Sequence, residues 1–140
     1  MMYSMACNGN CACKGVEHNV SIQPGFVNFC GVRGDGFSDT VTIKEPPSPG
    51  ADPVPVDLTS PARTFFAQLR KSQNSTEVAY TFDIDMTDAA AGSFTFSIPS
   101  ANTVGFTGEY HYDIEQTVSP STNPRTILAG TLTFSPDTTR

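Results

Sequence analysis

The chain has 140 residues, a net formal charge of −6 and a pI near 4.6. That length builds one domain with a real core. Its eight Lys and Arg are scattered, only Arg70 and Lys71 being adjacent; a phosphate-backbone binder needs clustered cations, so nucleic acid is excluded as a partner.

The hydrophobic fraction is 38%, Trp is absent, and 10 Phe and 4 Tyr must supply much of the core bulk. No apolar run reaches the 18 or so residues of a membrane span, so no membrane partner is expected. The first fifteen residues, MMYSMACNGNCACKG, lack a basic start and an apolar stretch. They do not read as a secretory signal, and the expected route is synthesis in a cytosol followed by assembly into a particle.

In chain order, residues 1–25 are polar, Gly- and Cys-rich and without periodicity, and read as an extended arm. Residues 26–140 read as one domain. Period-two alternation marks its strands. The first is Phe26 to Val32. Phe37 to Lys44 follows, with Phe37, Val41 and Ile43 on one face. Residues 46–61 hold six prolines, which rules out a helix or a central strand and leaves a long crossing loop. Arg63 to Arg70 turns Phe65, Ala67 and Leu69 inward, against Phe66, Gln68 and Arg70. Val78 to Asp85 turns Val78, Tyr80, Phe82 and Ile84 inward. Ser93 to Ile98 presents Phe94, Phe96 and Ile98, and residues 100–103 suit a single helical turn. Glu109 to Thr117 places Tyr110, Tyr112 and Ile114 together. Ile127 to Phe134 does so with Leu128, Leu132 and Phe134, with Gly130 as a bulge or close-approach point.

Seven short strands with turns between them, and no amphipathic helix, predict an all-β, immunoglobulin-like antiparallel sandwich. A small barrel is the alternative. A Tyr in Gly108-Glu-Tyr-His-Tyr112, at the start of the penultimate strand, stands where such a fold places a tyrosine corner.

Three stretches carry a family resemblance. They are Arg33-Gly-Asp-Gly-Phe-Ser-Asp-Thr-Val-Thr-Ile43; Val56-Asp-Leu-Thr59 with Ala62 to Arg70; and Gly108-Glu-Tyr-His-Tyr-Asp-Ile114 with Leu128-Ala-Gly-Thr-Leu-Thr-Phe-Ser-Pro-Asp-Thr-Thr-Arg140. Together they resemble the N-terminal immunoglobulin-like domain of phage baseplate upper proteins and related small virion proteins. The resemblance spans residues 30–140 and leaves out the Cys-rich arm. It implies a sandwich that docks onto other virion proteins, within a symmetric homo- or hetero-oligomeric assembly, and a virion location.

Cys7, Cys11, Cys13 and Cys30 form C-x3-C-x-C, then sixteen intervening residues, then the fourth cysteine. Four thiolates can hold zinc or an iron–sulfur cluster, with His18 able to replace one. A tight C-x-C and a solitary Cys depart from the paired knuckles of structural zinc. The same four can instead form disulfides, within the chain or to a neighbour. The reading is disulfide or anchor cysteines, with no cofactor.

No catalytic signature is present. His18 and His111 are the two histidines, and His111 alternates with Tyr110 and Tyr112, so it faces away from them. Asp83, Asp85 and Asp88 lack EF-hand spacing, and Asp83 and Asp85, alternating with Ile84, read as a strand's solvent face. Arg33-Gly34-Asp35 reads as a turn feeding a strand. Asn19-Val-Ser21 and Asn74-Ser-Thr76 match the glycan acceptor pattern and read as loop residues.

The expected function is a non-enzymatic structural component of a tailed-phage virion in the tail, baseplate, fibre attachment or neck. One alternative is a capsid decoration or host-surface-binding module using loop-tip aromatics, Phe106 being the candidate. The other is a small metal or iron–sulfur protein using the Cys arm. Mass spectrometry with and without reductant tests the cysteine reading. At least one peptide carrying Cys7, Cys11, Cys13 or Cys30 is expected to shift on reduction. Four free or metal-shielded thiols would contradict it.

Overall fold

Strands form here because apolar and polar residues alternate over runs too short and too β-branched or aromatic to be helices. The structure, a computed structural model, describes residues 6–8, 11–12, 18–20 and 25–136. Three short pieces, β1 (Ala6–Asn8), β2 (Cys11–Ala12) and β3 (His18–Val20), come first. They precede β4 (Gly25–Phe26), β5 (Phe29–Val32), β6 (Phe37–Glu45) and β7 (Val54–Pro55). Next come β8 (Arg63–Arg70), β9 (Val78–Thr81), β10 (Asp83–Asp85) and β11 (Ser93–Ile98). The one-turn helix α1 (Ser100–Thr103), β12 (Gly108–Val118) and β13 (Arg125–Ser135) complete the order.

Two sheets face each other. One runs β1-β2-β5-β13-β12-β8-β9, with β4 also on β13; the other runs β10-β11-β6-β3, with β7 also on β6. In an immunoglobulin sandwich the second, fifth and fourth strands share one sheet, while the third, sixth and seventh share the other. Here β6, β11 and β10 take the first set of places and β8, β12 and β13 the second. The fold is therefore an all-β, immunoglobulin-like sandwich. Pieces of the expected arm lie on these sheets. β3 runs parallel to β6, pairing His18, Asn19 and Val20 with Val41, Thr42 and Ile43. β2 meets β5 at Ala12 and Phe29. The rest of the arm falls outside the described residues.

The inward faces of β6, β8, β11, β12 and β13 are those the alternation predicts: Phe37, Val41, Ile43, Phe65, Ala67, Leu69, Phe94, Phe96, Ile98, Tyr110, Tyr112, Ile114, Leu128, Leu132 and Phe134 are all buried. Phe96 lies at the centre, with ring centroids 5.8 Å from Phe29, 5.8 Å from Phe37, 5.3 Å from Phe82 and 6.3 Å from Tyr112. The Phe29 and Phe82 rings meet Phe96 edge-on, Phe37 is tilted and Tyr112 lies nearly parallel to it; such pairs gain more than their buried area alone. Phe65 and Phe94 stack at 3.9 Å across the sheets.

Four details differ from the sequence expectation. The run from Val78 to Asp85 is two strands in different sheets, hinged at the buried Phe82, so Val78 is left exposed. The run from Phe26 to Val32 is broken at Val27-Asn28, and both halves pair with β13 in parallel, not antiparallel. The bulge in β13 falls at Ile127: Ile114 opposes Leu128 but Glu115 opposes Thr126. Ile127 and Leu128 can then both point inward. Gly130 is a close-approach point, since a Cβ there would collide with the Val27 carbonyl. Finally, the proline loop folds back, with Lys44 and Glu45 pairing with Pro55 and Val54. Proline at that edge position forfeits no interior hydrogen bond.

The two faces of β8 and β11 set a stability contrast. Phe96→Ala should cost about 3–5 kcal/mol through lost transfer energy and a cavity. Phe66→Ala, on the solvent side of β8, should change stability by less than about 0.5 kcal/mol. Chemical denaturation of both variants checks this, and equal losses would contradict the assignment of faces.

Candidate functional site

The outer face of the sheet β5-β13-β12-β8 carries a depression of about 400 Å³. Its walls come from strands distant in sequence. Phe26 and Asn28 stand on one side, Gln68 and Arg70 of β8 on the other, and His111 and Asp113 of β12 between them. The floor is low because β13 presents Ala129 and Gly130 there. Register explains the assembly: His111 lies opposite Arg70 and Thr131, and Asp113 opposite Gln68 and Ala129.

Several of these groups are held in place. Arg70 donates from Nη2 to Gln68 Oε1 at 2.6 Å and from Nη1 to the Ser75 carbonyl at 3.0 Å. The Thr131 amide donates to Asn28 Oδ1 at 3.1 Å. Both side-chain amides thus have their carbonyl oxygens engaged, which fixes their planes and leaves their –NH2 ends as donors. His111 is half-buried, its Nε2 3.8 Å from Glu109 Oε1. Phe26 is 79% exposed beside the depression.

Behind this face, Tyr112 points inward and donates from its hydroxyl to the Val27 carbonyl at 2.7 Å. The tyrosine tie therefore exists, but at Tyr112, not at the strand's start. It reaches back 85 residues instead of closing the adjacent turn. Asp39 of β6 also faces inward and is 1% exposed. Burial first, and the Asp39 charge second, push the Tyr112 phenol well above its ordinary value.

The other sequence candidates fall as follows. Cys30 is half-buried in β5, and there is no free cysteine among the described residues. The side chains of Cys7, Cys11 and His18, and all of Cys13, lie outside the described residues. Among the described residues no group of three His, Cys, Asp or Glu gathers to hold a metal, and no helix is long and apolar enough to cross a membrane. Asp85 accepts from Thr87 N at 2.9 Å and Thr87 Oγ1 at 2.6 Å, which lowers its pKa, and Asp83 accepts from the Tyr80 hydroxyl at 3.3 Å. Arg33-Gly34-Asp35 is a tied turn: Gly34 has φ 90°, its N–H donates to Thr103 Oγ1 at 3.0 Å, and that hydroxyl donates to the Asp35 carbonyl at 2.7 Å. Phe106 is not a loop-tip aromatic. Its ring packs 5.1 Å from Tyr110 and 5.3 Å from Phe134. Among the described residues the exposed phenylalanine rings are Phe26 and Phe66 instead. The polar side of the β8 alternation was the available signal for Phe66; nothing local marks Phe26.

A second depression lies between Glu45, Arg63, Gln116 and Arg125. Arg63 Nη1 already donates to Glu45 Oε2 and Gln116 Oε1, each at 3.2 Å, so this cation serves the protein itself.

No protein family and no curated protein matches the sequence. Among solved structures, a cysteine protease inhibitor from Entamoeba histolytica is similar with 8% identity and a TM-score of 0.32, over 85% of this chain and 96% of that one. The major subunit of aggregative adherence fimbriae type I from Escherichia coli is similar with 13% identity and a TM-score of 0.28, over 81% and 91%. Likenesses this distant carry no argument about function.

Two predictions follow from Tyr112 and Thr103. Above about pH 10 the unfolded chain releases the Tyr112 proton while the folded chain keeps it. Stability from this group is therefore full below that pH and falls as pH rises past it. Thermal unfolding of Tyr112→Phe should show a shallower alkaline decline, on top of a loss of about 1–3 kcal/mol at neutral pH; identical slopes would contradict the burial of the phenol. Thr103→Val should cost a similar 1–3 kcal/mol by removing the hydroxyl's bonds to the Gly34 N–H and the Asp35 carbonyl, measured by denaturation.

Proposed function

We propose that this chain is a non-catalytic structural component of a tailed-phage virion, a rigid sandwich that docks to other virion proteins and is helped to do so by its N-terminal segment. One observation carries the docking mechanism. Both sheets accept added N-terminal strands, β3 along β6 and β2 beside β5. Strand addition at a sheet edge joins chains through main-chain hydrogen bonds and needs little side-chain specificity. The same geometry can serve a segment from a neighbouring subunit.

The family resemblance of residues 30–140 supports the virion setting. The cysteines fit it as well, because a covalent link from the N-terminal segment to its neighbour resists the fluctuations that open a non-covalent contact. Such a tether also raises the effective concentration of the docking surfaces.

Particles assembled with a chain lacking residues 1–24 test this reading. The shortened chain is expected to keep the near-neutral solubility and circular dichroism of a β-sandwich but to be lost from purified particles. Unchanged incorporation would overturn the role of the N-terminal segment, and absence of the full chain from purified particles would overturn the virion role.

A further inference from the structure

The outer-face depression gathers groups from four strands, β4, β8, β12 and β13, that lie far apart in sequence. Phe26 is 79% exposed, a large apolar surface left to water at its rim. The volume, about 400 Å³, lies within the range of small-ligand sites. The depression exists because Ala129 and Gly130 keep the floor low while Phe26 and the turn after β8 rise on either side.

The chemistry of the walls narrows the ligand class. Arg70 and Asp113 contribute one positive and one negative charge, and Arg70 is already committed to Gln68 and Ser75. That balance disfavours phosphate or sulfate, which are recognised by clustered, uncommitted Arg and Lys. Apart from Phe26 the walls are too polar for a lipid or a wholly apolar ligand. The remaining groups are side-chain amides, the Ser72 and Thr131 hydroxyls and an imidazole, which between them donate and accept. Asn28 and Gln68 offer –NH2 donors whose planes are fixed by bonds on their carbonyl side, and the Asp113 carboxylate offers an acceptor. Fixed donors and acceptors reduce the ordering cost of binding. A ligand with hydroxyls around its rim and a C–H face on one side meets all of these features.

We propose that this depression is a binding subsite for a neutral glycan, with one pyranose ring lying on Phe26 and its hydroxyls bonded to Asn28, Gln68, His111 and Asp113. This is a second function, independent of the docking role above. It places surface recognition on a sheet face and not at the loop tips. It suits a particle component that meets a polysaccharide-coated surface, because several weak subsites on one assembly add through multivalency.

The test is a titration of the isotope-labelled full-length chain, followed by amide chemical shifts, with maltohexaose, cellohexaose, chitohexaose and a heparin-derived hexasaccharide. At least one neutral hexasaccharide is expected to give saturable shifts in the millimolar range, confined to amides around residues 26–28, 68–73, 111–113 and 129–131. Phe26→Ala should weaken that binding at least about tenfold, which corresponds to about 1.4 kcal/mol. Phe66→Ala, on the same sheet face but outside the depression, should leave it within about twofold. Both rings are exposed enough that either variant folds. No saturable shift with any neutral hexasaccharide, shifts located elsewhere, equal binding by Phe26→Ala, or tighter binding of the sulfated probe at these amides would each overturn the proposal. Incorporation into particles is read separately, so loss of one result leaves the other standing.

Discussion

The hydroxyl of Tyr112 closes on the Val27 carbonyl, and Gly130 lets that carbonyl approach β13 more closely than any side chain would permit. Between them these contacts decide how residues 25–32 lie against the sheet. The Val27 amide completes the clamp by donating to the Ala129 carbonyl at 3.0 Å. Once Val27 is held, the chain on either side has little choice. Phe29 turns into the aromatic core, 5.6 Å from the Tyr112 ring. Phe26 turns out, and Asn28 is left at the height where its side chain meets the Thr131 amide. The core and the outer depression thus share one structural cause.

The clamp depends on protonation. A phenol donates a hydrogen bond only while it keeps its proton, and Tyr112 keeps it because the ring is buried and Asp39 stands near it. A carboxylate facing the core of a sandwich is costly. Here its field works in the clamp's favour, since a second negative charge beside it is disfavoured. The inter-sheet space therefore holds a polar pair on β6 and β12 among rings from both sheets. Neither Phe at position 112 nor an apolar residue at position 39 would reproduce that coupling.

Much of the sandwich was legible in the sequence, because alternation on β6, β8, β11, β12 and β13 needs only local order. Inward residues such as Phe37, Leu69 and Phe96 follow directly from period two. The misreadings share a different origin. The pattern Val78-x-Tyr80-x-Phe82-x-Ile84 is unbroken, so only the partners of each half, β8 on one side and β11 on the other, reveal that the chain changes sheets at Phe82. The parallel pairing of β4 and β5 has no local signature. Gly130 was readable as a special point, yet its partner, Val27, lies about a hundred residues away. The depression was invisible for the same reason: Phe26, Gln68, Asp113 and Ala129 become neighbours only through the strand order. The virion reading rests on a resemblance of residues 30–140, which the strand order does not address; the pairing of β2 and β3 with the sheets had no signal in the sequence of residues 1–25.

The clamp at Val27 is the claim on which both the core and the outer face stand, and amide hydrogen exchange addresses it directly. The Val27 amide should exchange as slowly as the interior amides of β12 and β13, since it opens only when the sandwich itself does. In Tyr112→Phe its protection should fall selectively, while the amides of β11 keep theirs. If Val27 in the native chain exchanges as fast as the exposed turn at residues 72–75, residues 25–32 are not held as described, and the account of the core and of the outer depression fails together.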